Sequence, residues 1–297
     1  MSAQQPDARA ASATDVYKRQ VYALAGLAYI PAELRENRGE LEAAAAGTLP
    51  KLIELSDLRG DLHAHTTASD GHGSIEEMAL AARAQGLDYL AITDHSATHG
   101  FGDDVSPDQL RRQIELVHEA DARIGGIRLL AGSEVNILPD GSPDYEDSLL
   151  AELDWVIASV HTSFGLGREE MTERMCRATS HPLIDAIGHP TGRLIERRLP
   201  YELDMDALIA ACAATGTMLE INSNPDRRDL NEIHARAAAA AGVGILVNSD
   251  AHSTERLLGL RYGVWTARRA WLTAADVANT LPWTALAAQS KRARSGT

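Results

Sequence analysis

GDLHAHTTASDGHGSIEEMALAARAQGLDYLAITDH, residues 60–95, is the stretch on which the fold turns. It opens with a short apolar run interrupted by His63 and His65 and passes through the turn Ser69-Asp70-Gly71. A segment with helical spacing then begins at Ser74, where Ser74-Ile75-Glu76-Glu77 fits a capping box. A second apolar run, DYLAI, follows and ends at Thr93-Asp94-His95. Two apolar runs joined by one helix read as a parallel strand pair with its crossover.

The same unit recurs along the chain. Strand candidates are DLHAH, DYLAITDH, RLLAGSEVNI, LDWVIASVH, DAIGHP, TMLEINSNP and GILVNSDAH. Between them lie helical stretches at 74–85, 107–124, 168–180, 204–215 and 230–241. Near-continuous apolar strands alternating with helices imply a parallel sheet covered on both faces. About seven such units in some 240 residues suit a closed barrel better than an open doubly wound sheet. The expected fold is therefore α/β, a distorted (β/α)7 TIM-like barrel over residues 57–297.

Residues 1–20 are polar, without apolar period, and are expected to be disordered. Their DVYKRQ string resembles translated adapter sequence more than native protein. Residues 21–56 read as a helical connector arm. The 297-residue chain carries a formal net charge of -14, so it has no global electrostatic reason to bind nucleic acid. Binding would require a local basic patch or metal ions that offset the carboxylates. Cys176 and Cys212 lack metal-ligand spacing and read as reduced thiols. No stretch is long and apolar enough to span a membrane, and the expected location is the cytoplasm.

Polar residues fall at the strand ends. His63 and His65 lie on the first strand, with Asp70 in the turn beyond it, and His95 closes the second. Glu134 lies on the third, His161 closes the fourth, His189 the fifth, and Asp250 and His252 the last. In a parallel barrel the C-terminal strand ends converge on one rim, where active sites are built. Residues i and i+2 of a strand share a face, so His63 and His65 can chelate one ion together, as can Asp250 and His252. Mixed imidazole and carboxylate donors suit Zn, Mn or Fe. Nine donors exceed what one ion uses, so two or three divalent ions are implied, with Glu134 able to bridge. Asp94 is expected to orient a neighbouring imidazole. His72 and His99 sit in loops just beyond ligand positions, from which they could reach the site, but read by default as solvated loop residues, and His118, His181 and His234 fall outside the pattern.

GDLHAHTTASDG, YLAITDHS, LAGSEVNILPDGS, WVIASVH, AIGHPTGRL, LEINSNPDRRDLN and VNSDAHS together resemble the PHP (polymerase and histidinol phosphatase) domain. More closely, they are similar to the PHP domain at the C-terminus of bacterial family X DNA polymerases. The resemblance runs from about Asp57 to the end, and residues 21–55 are similar to the connector after the polymerase module of that family. It implies a metal-ligand set of His63, His65, Asp70, His95, Glu134, His161, His189, Asp250 and His252. It also implies a polymerase module upstream of residue 1 in the full-length protein.

The chemistry expected is phosphoester hydrolysis, in which divalent ions acidify water and neutralise phosphate oxygens. Glu134, Asp250 and His252 are expected to bear most directly on catalysis. Arg193 and Arg227, each just beyond a strand end, are candidates to bind the substrate phosphate. The resemblance implies 3′-to-5′ exonuclease action on DNA 3′ ends. The alternative is a small-molecule phosphatase acting on histidinol phosphate or a nucleotide. A module that only scaffolds a polymerase has no need of nine ligands.

Overall fold

The structure, a computed structural model, describes residues 13–100 and 104–291. The chain divides into two compact units, residues 1–51 and 52–297. In the first unit, α1 (Ala13–Leu24) and α2 (Glu40–Ala46) are joined by residues 25–39, which include a short 3-10 helix at Ala32–Leu34. The Glu40 carboxylate accepts hydrogen bonds from the amides of Asn37 and Arg38 at 2.8 and 2.7 Å, fixing the entry to α2. Of the stretch expected to be disordered, residues 13–20 lie in α1, and residues 1–12 lie outside the described residues.

The second unit holds seven parallel strands in the order of the chain. They are β1 (Gly60–Asp61), β2 (Tyr89–Ile92), β3 (Arg128–Asn136), β4 (Trp155–Ser159), β5 (Ala186–Ile187), β6 (Met218–Asn222) and β7 (Ile245–Asn248). Helices α3 (Ile75–Ala84), α4 (Pro107–Ile124), α5 (Asp147–Leu150), α6 (Arg168–Thr179), α7 (Met205–Thr215) and α8 (Glu232–Ala240) connect them. After β7 come α9 (Leu260–Arg269) and α10 (Trp283–Ala287). This is the (β/α)7 barrel expected from the strand-helix alternation. The capping box at Ser74 is formed: its hydroxyl accepts from the Glu77 amide at 3.2 Å, and the Glu77 carboxylate accepts from the Ser74 amide at 2.9 Å. Among the described residues no helix is long and apolar enough to cross a membrane.

Side-chain alternation along each strand sorts the interior into layers. Near the N-terminal ends the inward positions are apolar: Tyr89, Leu130, Trp155, Ala186, Met218 and Leu246 pack together and are capped by Leu286 and Trp283. Two and four residues further along the same faces the chemistry changes. Leu130 gives way to Gly132 and Glu134, Met218 to Glu220 and Asn222, and Leu246 to Asn248 and Asp250. The outward positions, such as Leu90, Leu129, Val156, Leu219 and Val247, join the larger core beneath the helices. The barrel is thus greasy at one end and polar at the other.

Strand one is shorter than DLHAH suggests. Beyond Asp61 three successive amides bond side chains instead of neighbouring strands, and the His65 amide donates to the Ala251 carbonyl oxygen at 2.9 Å. Leu62 donates to Asn248 Oδ1 at 3.1 Å, His63 to Asp61 Oδ1 at 3.2 Å and Ala64 to Thr93 Oγ1 at 3.0 Å. Among the described residues β1 and β7 form no ladder; one isolated bridge, Ala64 to Ala251, joins them near the polar end. Side chains close the rest of that seam. Asp61 accepts from the Ser249 amide at 3.1 Å. The Asn279 amide donates to Gly60 O at 2.8 Å and to Val247 O at 2.7 Å, and its oxygen accepts from Val247 N at 3.1 Å.

Asn279 therefore satisfies three buried backbone groups on two strands that do not pair. Asn279→Ala should cost about 2–4 kcal/mol, because it leaves buried donors and acceptors unmade. The effect is read as a fall in the midpoint of thermal unfolding, and an unchanged midpoint would assign closure of the seam to other contacts.

Candidate metal centre

The nine candidate ligands named above lie together at the C-terminal rim. They fall into four groups whose donor atoms lie within 4.8 Å of one another: His65-Asp70-His95-His252, His63-His65-Asp250, His63-Glu134-His189 and His95-Glu134-His161. His63, His65, His95 and Glu134 each belong to two groups, so the groups form one continuous cluster.

Glu134 stands at its centre and is fully buried. Its Oε2 lies 2.9 Å from His95 Nδ1, 3.3 Å from His63 Nε2 and 3.6 Å from His65 Nε2. Its Oε1 lies 2.8 Å from His189 Nε2 and 3.2 Å from His161 Nε2. Burial disfavours the charged carboxylate, but His63, His161 and His95 outweigh it and hold its pKa well below the usual range. The two oxygens face two sets of imidazoles, as a bridging carboxylate would.

His63 shows why this cluster fits cations. Its Nδ1 lies 2.8 Å from Glu220 Oε1, so in the neutral ring the proton sits on Nδ1 and Nε2 carries a lone pair. That lone pair faces Glu134 Oε2 at 3.3 Å and Asp250 Oδ1 at 3.5 Å. His63 Nε2 and both Glu134 oxygens are buried without a hydrogen-bond partner. Three acceptors turned on one another need positive charge between them. His252 is arranged likewise: Nδ1 lies 2.9 Å from the Asp250 carbonyl oxygen, leaving Nε2 to face Asp70 Oδ2 at 3.2 Å. Asp70 and His252, 37% and 26% exposed, form the solvent side of the cluster.

Two candidate ligands hold unusual backbone. His189 and Asp250 have φ of 26° and 52°, left-handed values that β-branched or bulky residues resist. Such strain persists only where the surroundings impose it. Here Glu220 accepts from the His189 amide at 2.8 Å, and Asn222 Nδ2 donates to Asp250 Oδ2 at 2.9 Å.

A PHP domain model matches residues 61–224. The chain belongs to the PHP family. It is a phosphoesterase of that family, a metal-dependent hydrolase. It is 42% identical to the DNA polymerase/3′-5′ exonuclease PolX of Bacillus subtilis over 262 residues, 88% of this chain. The chain spans about half, 46%, of the length of that protein. It is also 31% identical over 207 residues to a probable phosphatase of Acetivibrio thermocellus, covering 65% of this chain and 78% of that protein. Among solved structures, histidinol phosphate phosphatase from Lactococcus lactis, complexed with zinc, L-histidinol and phosphate, superposes with a TM-score of 0.51 at 18% identity. That match covers 71% of this chain and 93% of the other, and shows a shared fold.

Around this PHP centre the structure corrects two expectations, for Asp94 and His99, and separates the two candidate arginines. Asp94 does not orient an imidazole. Its carboxylate accepts from the Thr66 amide and hydroxyl at 2.7 and 2.6 Å, from the Ser69 hydroxyl at 2.5 Å and from Gln113. It thereby holds the turn that delivers Asp70. His99 is not solvated. It is fully buried, its ring stacks on His95 with centroids 4.3 Å apart, and its Nδ1 lies 2.5 Å from Asp104 Oδ1. The two candidate arginines part company: Arg227 reaches Asp250, whereas Arg193 lines a neighbouring groove that none of the nine ligands lines. His72 is exposed, as expected.

The main residue that the motif reading missed is Glu220, on β6. It is fully buried, and both oxygens are saturated. Oε1 accepts from His63 Nδ1 and Asn248 Nδ2 at 2.8 and 3.0 Å, and Oε2 from His189 N and Asn222 Nδ2 at 2.8 and 3.1 Å. A signal was present, since a glutamate two residues from an asparagine in the apolar TMLEINS run marks one polar face. Glu220→Gln keeps the shape but removes the charge that fixes the His63 tautomer, and should weaken metal affinity roughly 10–100-fold. Glu134→Ala should abolish stoichiometric metal binding. Elemental analysis and chelator competition read both, and Glu220→Gln with wild-type affinity would reduce that carboxylate to a packing role.

The histidines also predict proton release. Burial disfavours charge on His95, yet Glu134 and Asp70 outweigh it and raise its pKa to about 10 in the absence of metal. Burial and the neighbouring His252 and His95 lower His65 to about 4, and burial likewise lowers His161 to about 4. Burial also disfavours charge on His63, yet Glu220, Glu134 and Asp250 outweigh it and raise its pKa well above the ordinary range. Near neutral pH, metal must therefore displace protons from His95 and His63 but none from His65 or His161. Affinity should rise with pH, about tenfold per unit for each proton released. Titration calorimetry in buffers of different ionisation enthalpy should count at least one proton released.

Proposed function

We propose that this chain cleaves phosphodiester bonds at DNA 3′ ends, as a metal-dependent 3′-to-5′ exonuclease. The observation that carries this reading is the 42% identity to B. subtilis PolX, sustained over 88% of the chain. The nine clustered side chains would hold two or three divalent ions, and their imidazole-rich character favours Zn, Mn or Fe. Bound there, such ions acidify water and offset the charge of phosphate oxygens.

The protein's own residues do the rest. Glu220 and the Asp250 carbonyl fix the tautomers of His63 and His252, so both present Nε2 lone pairs toward the centre. Asp70 and His252 mark the side from which substrate enters. Arg227 supports the reading of a phosphate substrate. Its side chain is 14% exposed, and its Nε lies 3.4 Å from Asp250 Oδ2. Nε and Nη1 are buried with no hydrogen-bond partner. Buried guanidinium donors left unmade are costly, and a phosphate oxygen is the acceptor that suits them. Asp250 would thus hold both a metal and the arginine that orients the substrate.

The competing reading, a phosphatase acting on a small monoester, draws on the 31% identity to the A. thermocellus protein. A 3′-labelled oligonucleotide assayed beside histidinol phosphate separates the two. Stepwise shortening of the oligonucleotide supports the exonuclease, whereas turnover of histidinol phosphate alone overturns it.

Arg227→Ala should leave metal content unchanged and lower kcat/KM on the preferred substrate by roughly one to two orders of magnitude, the loss of a charge-assisted contact. A wild-type rate would make Arg227 a structural partner of Asp250 only.

A further inference from the structure

Beside the metal centre lies a second concavity, a groove of about 340 Å3 between the loop that follows His189 and the start of α8. Arg168, Arg193, Arg228, His234, Thr191 and Tyr201 are among the residues that line it. Arg168 is matched by Asp204, at 3.0 Å and also in the lining, and Arg228 by Glu232 at 2.5 Å. Asp206 lines the groove as well. Arg193 has no carboxylate partner among the described residues, and the Tyr201 hydroxyl is buried without a hydrogen-bond partner.

The groove borders two loops in which arginines and carboxylates are interleaved. The loops after β5 and β6 carry Arg193, Arg197, Arg198, Arg227 and Arg228 interleaved with Glu196, Glu202, Asp226 and Asp229, and Arg197 lies 3.5 Å from Asp226. Arg198 is held by Gly192 O at 2.6 Å and lies 4.2 Å over the Phe164 ring. Burial lowers its pKa and Arg227 lowers it further, against the opposing pull of Tyr201 and Asp229. Arg193 is the groove arginine left without a carboxylate among the described residues, and a phosphate oxygen is an acceptor that suits it.

Arg227 and Arg228 are consecutive, and their side chains part. Arg227 turns to Asp250 in the metal cluster, and Arg228 lines the groove. Arg228 has φ of 49°, a left-handed residue at which the chain changes direction. The Thr191 amide donates to the Asp229 carboxylate at 3.0 Å, tying the two loops together at the boundary between groove and cluster.

We propose that this groove is a phosphate subsite for a nucleotide strand. Arg193 binds the phosphate one step along the chain from the one held at Arg227. The substrate is then a polynucleotide and not a small monoester. The inference rests on the phosphodiesterase reading above and specifies its substrate. A strand held at two phosphates is fixed in direction, which a single-phosphate site cannot achieve.

The test compares wild type, Arg193→Ala and Arg193→Lys on a labelled single-stranded oligonucleotide and on bis(p-nitrophenyl) phosphate, a diester too short to reach the groove. Thermal unfolding checks that the variants fold. For Arg193→Ala, kcat/KM on the oligonucleotide should fall at least tenfold more than on the small diester, and Arg193→Lys should restore part of the difference. The dependence of oligonucleotide binding on salt, followed by fluorescence anisotropy, should become shallower by about 0.7 in log-log slope, the loss of one single-strand phosphate contact. Wild-type cleavage of the oligonucleotide with equal losses on both substrates, or with no loss, overturns the groove and leaves the exonuclease reading standing. A wild-type protein that neither binds nor shortens the oligonucleotide overturns both.

Discussion

A carboxylate buried among imidazoles is stable only with positive charge at hand, and Glu134 imposes that condition on the whole rim. Its two oxygens lie within 3.6 Å of nitrogens from five histidines, all removed from water. In low dielectric such a constellation is costly unless protons or metal ions occupy it. Protons can do so in part, as the raised pKa of His95 shows. Divalent ions satisfy more donors per unit of volume, so the cluster that would cost the fold stability without them becomes a source of it when they bind.

The barrel supports this by dividing its interior. At the N-terminal ends of the strands, Trp155, Tyr89 and Leu246 fill the lumen and exclude water. Two strand positions further on, the same inward faces carry Glu220 and Asn248, whose hydrogen bonds are fully internal. Only at the last positions do the candidate ligands appear. His63 is aimed by Glu220, itself held by Asn248, Asn222 and the His189 amide, and His252 by the Asp250 carbonyl, which limits the freedom that metal binding must remove. The seam between β1 and β7 is the exception to strand pairing, and it coincides with the segment carrying His63 and His65. Giving up a ladder there frees the backbone to place two histidines in one cluster, while Asp61, Asn248 and Asn279 take up the amides that pairing would have used.

On the outer side of the rim, charge is arranged for the opposite purpose. Of the candidate ligands, Glu134 and Asp250 lie deep, and five arginines stand on the loops after β5 and β6. Asp250 joins the two layers, since it touches both His65 at 3.1 Å and Arg227 at 3.4 Å.

Local pattern was enough for much of this. The strand-helix alternation, the capping box at Ser74 and the nine donors at strand ends could be read directly, because each depends on spacings of a few residues. The barrel followed from repetition of one unit. Tertiary structure decided what depends on register between distant segments. Glu220 meets His63 across 157 positions of sequence, Asn279 meets Gly60 across 219, and no local period encodes either contact. His99, read as a loop residue, is buried because the chain folds it onto His95. Arg193 and Arg227 look alike in sequence, each just past a strand end. The left-handed turn at Arg228 and the tie between Thr191 and Asp229 send one to the groove and the other to the metal centre. Sequence sets which donors are available and at which end of the barrel. Packing of segments far apart in the chain decides which of them meet, because the direction of a side chain is set by neighbours that the local sequence does not contain.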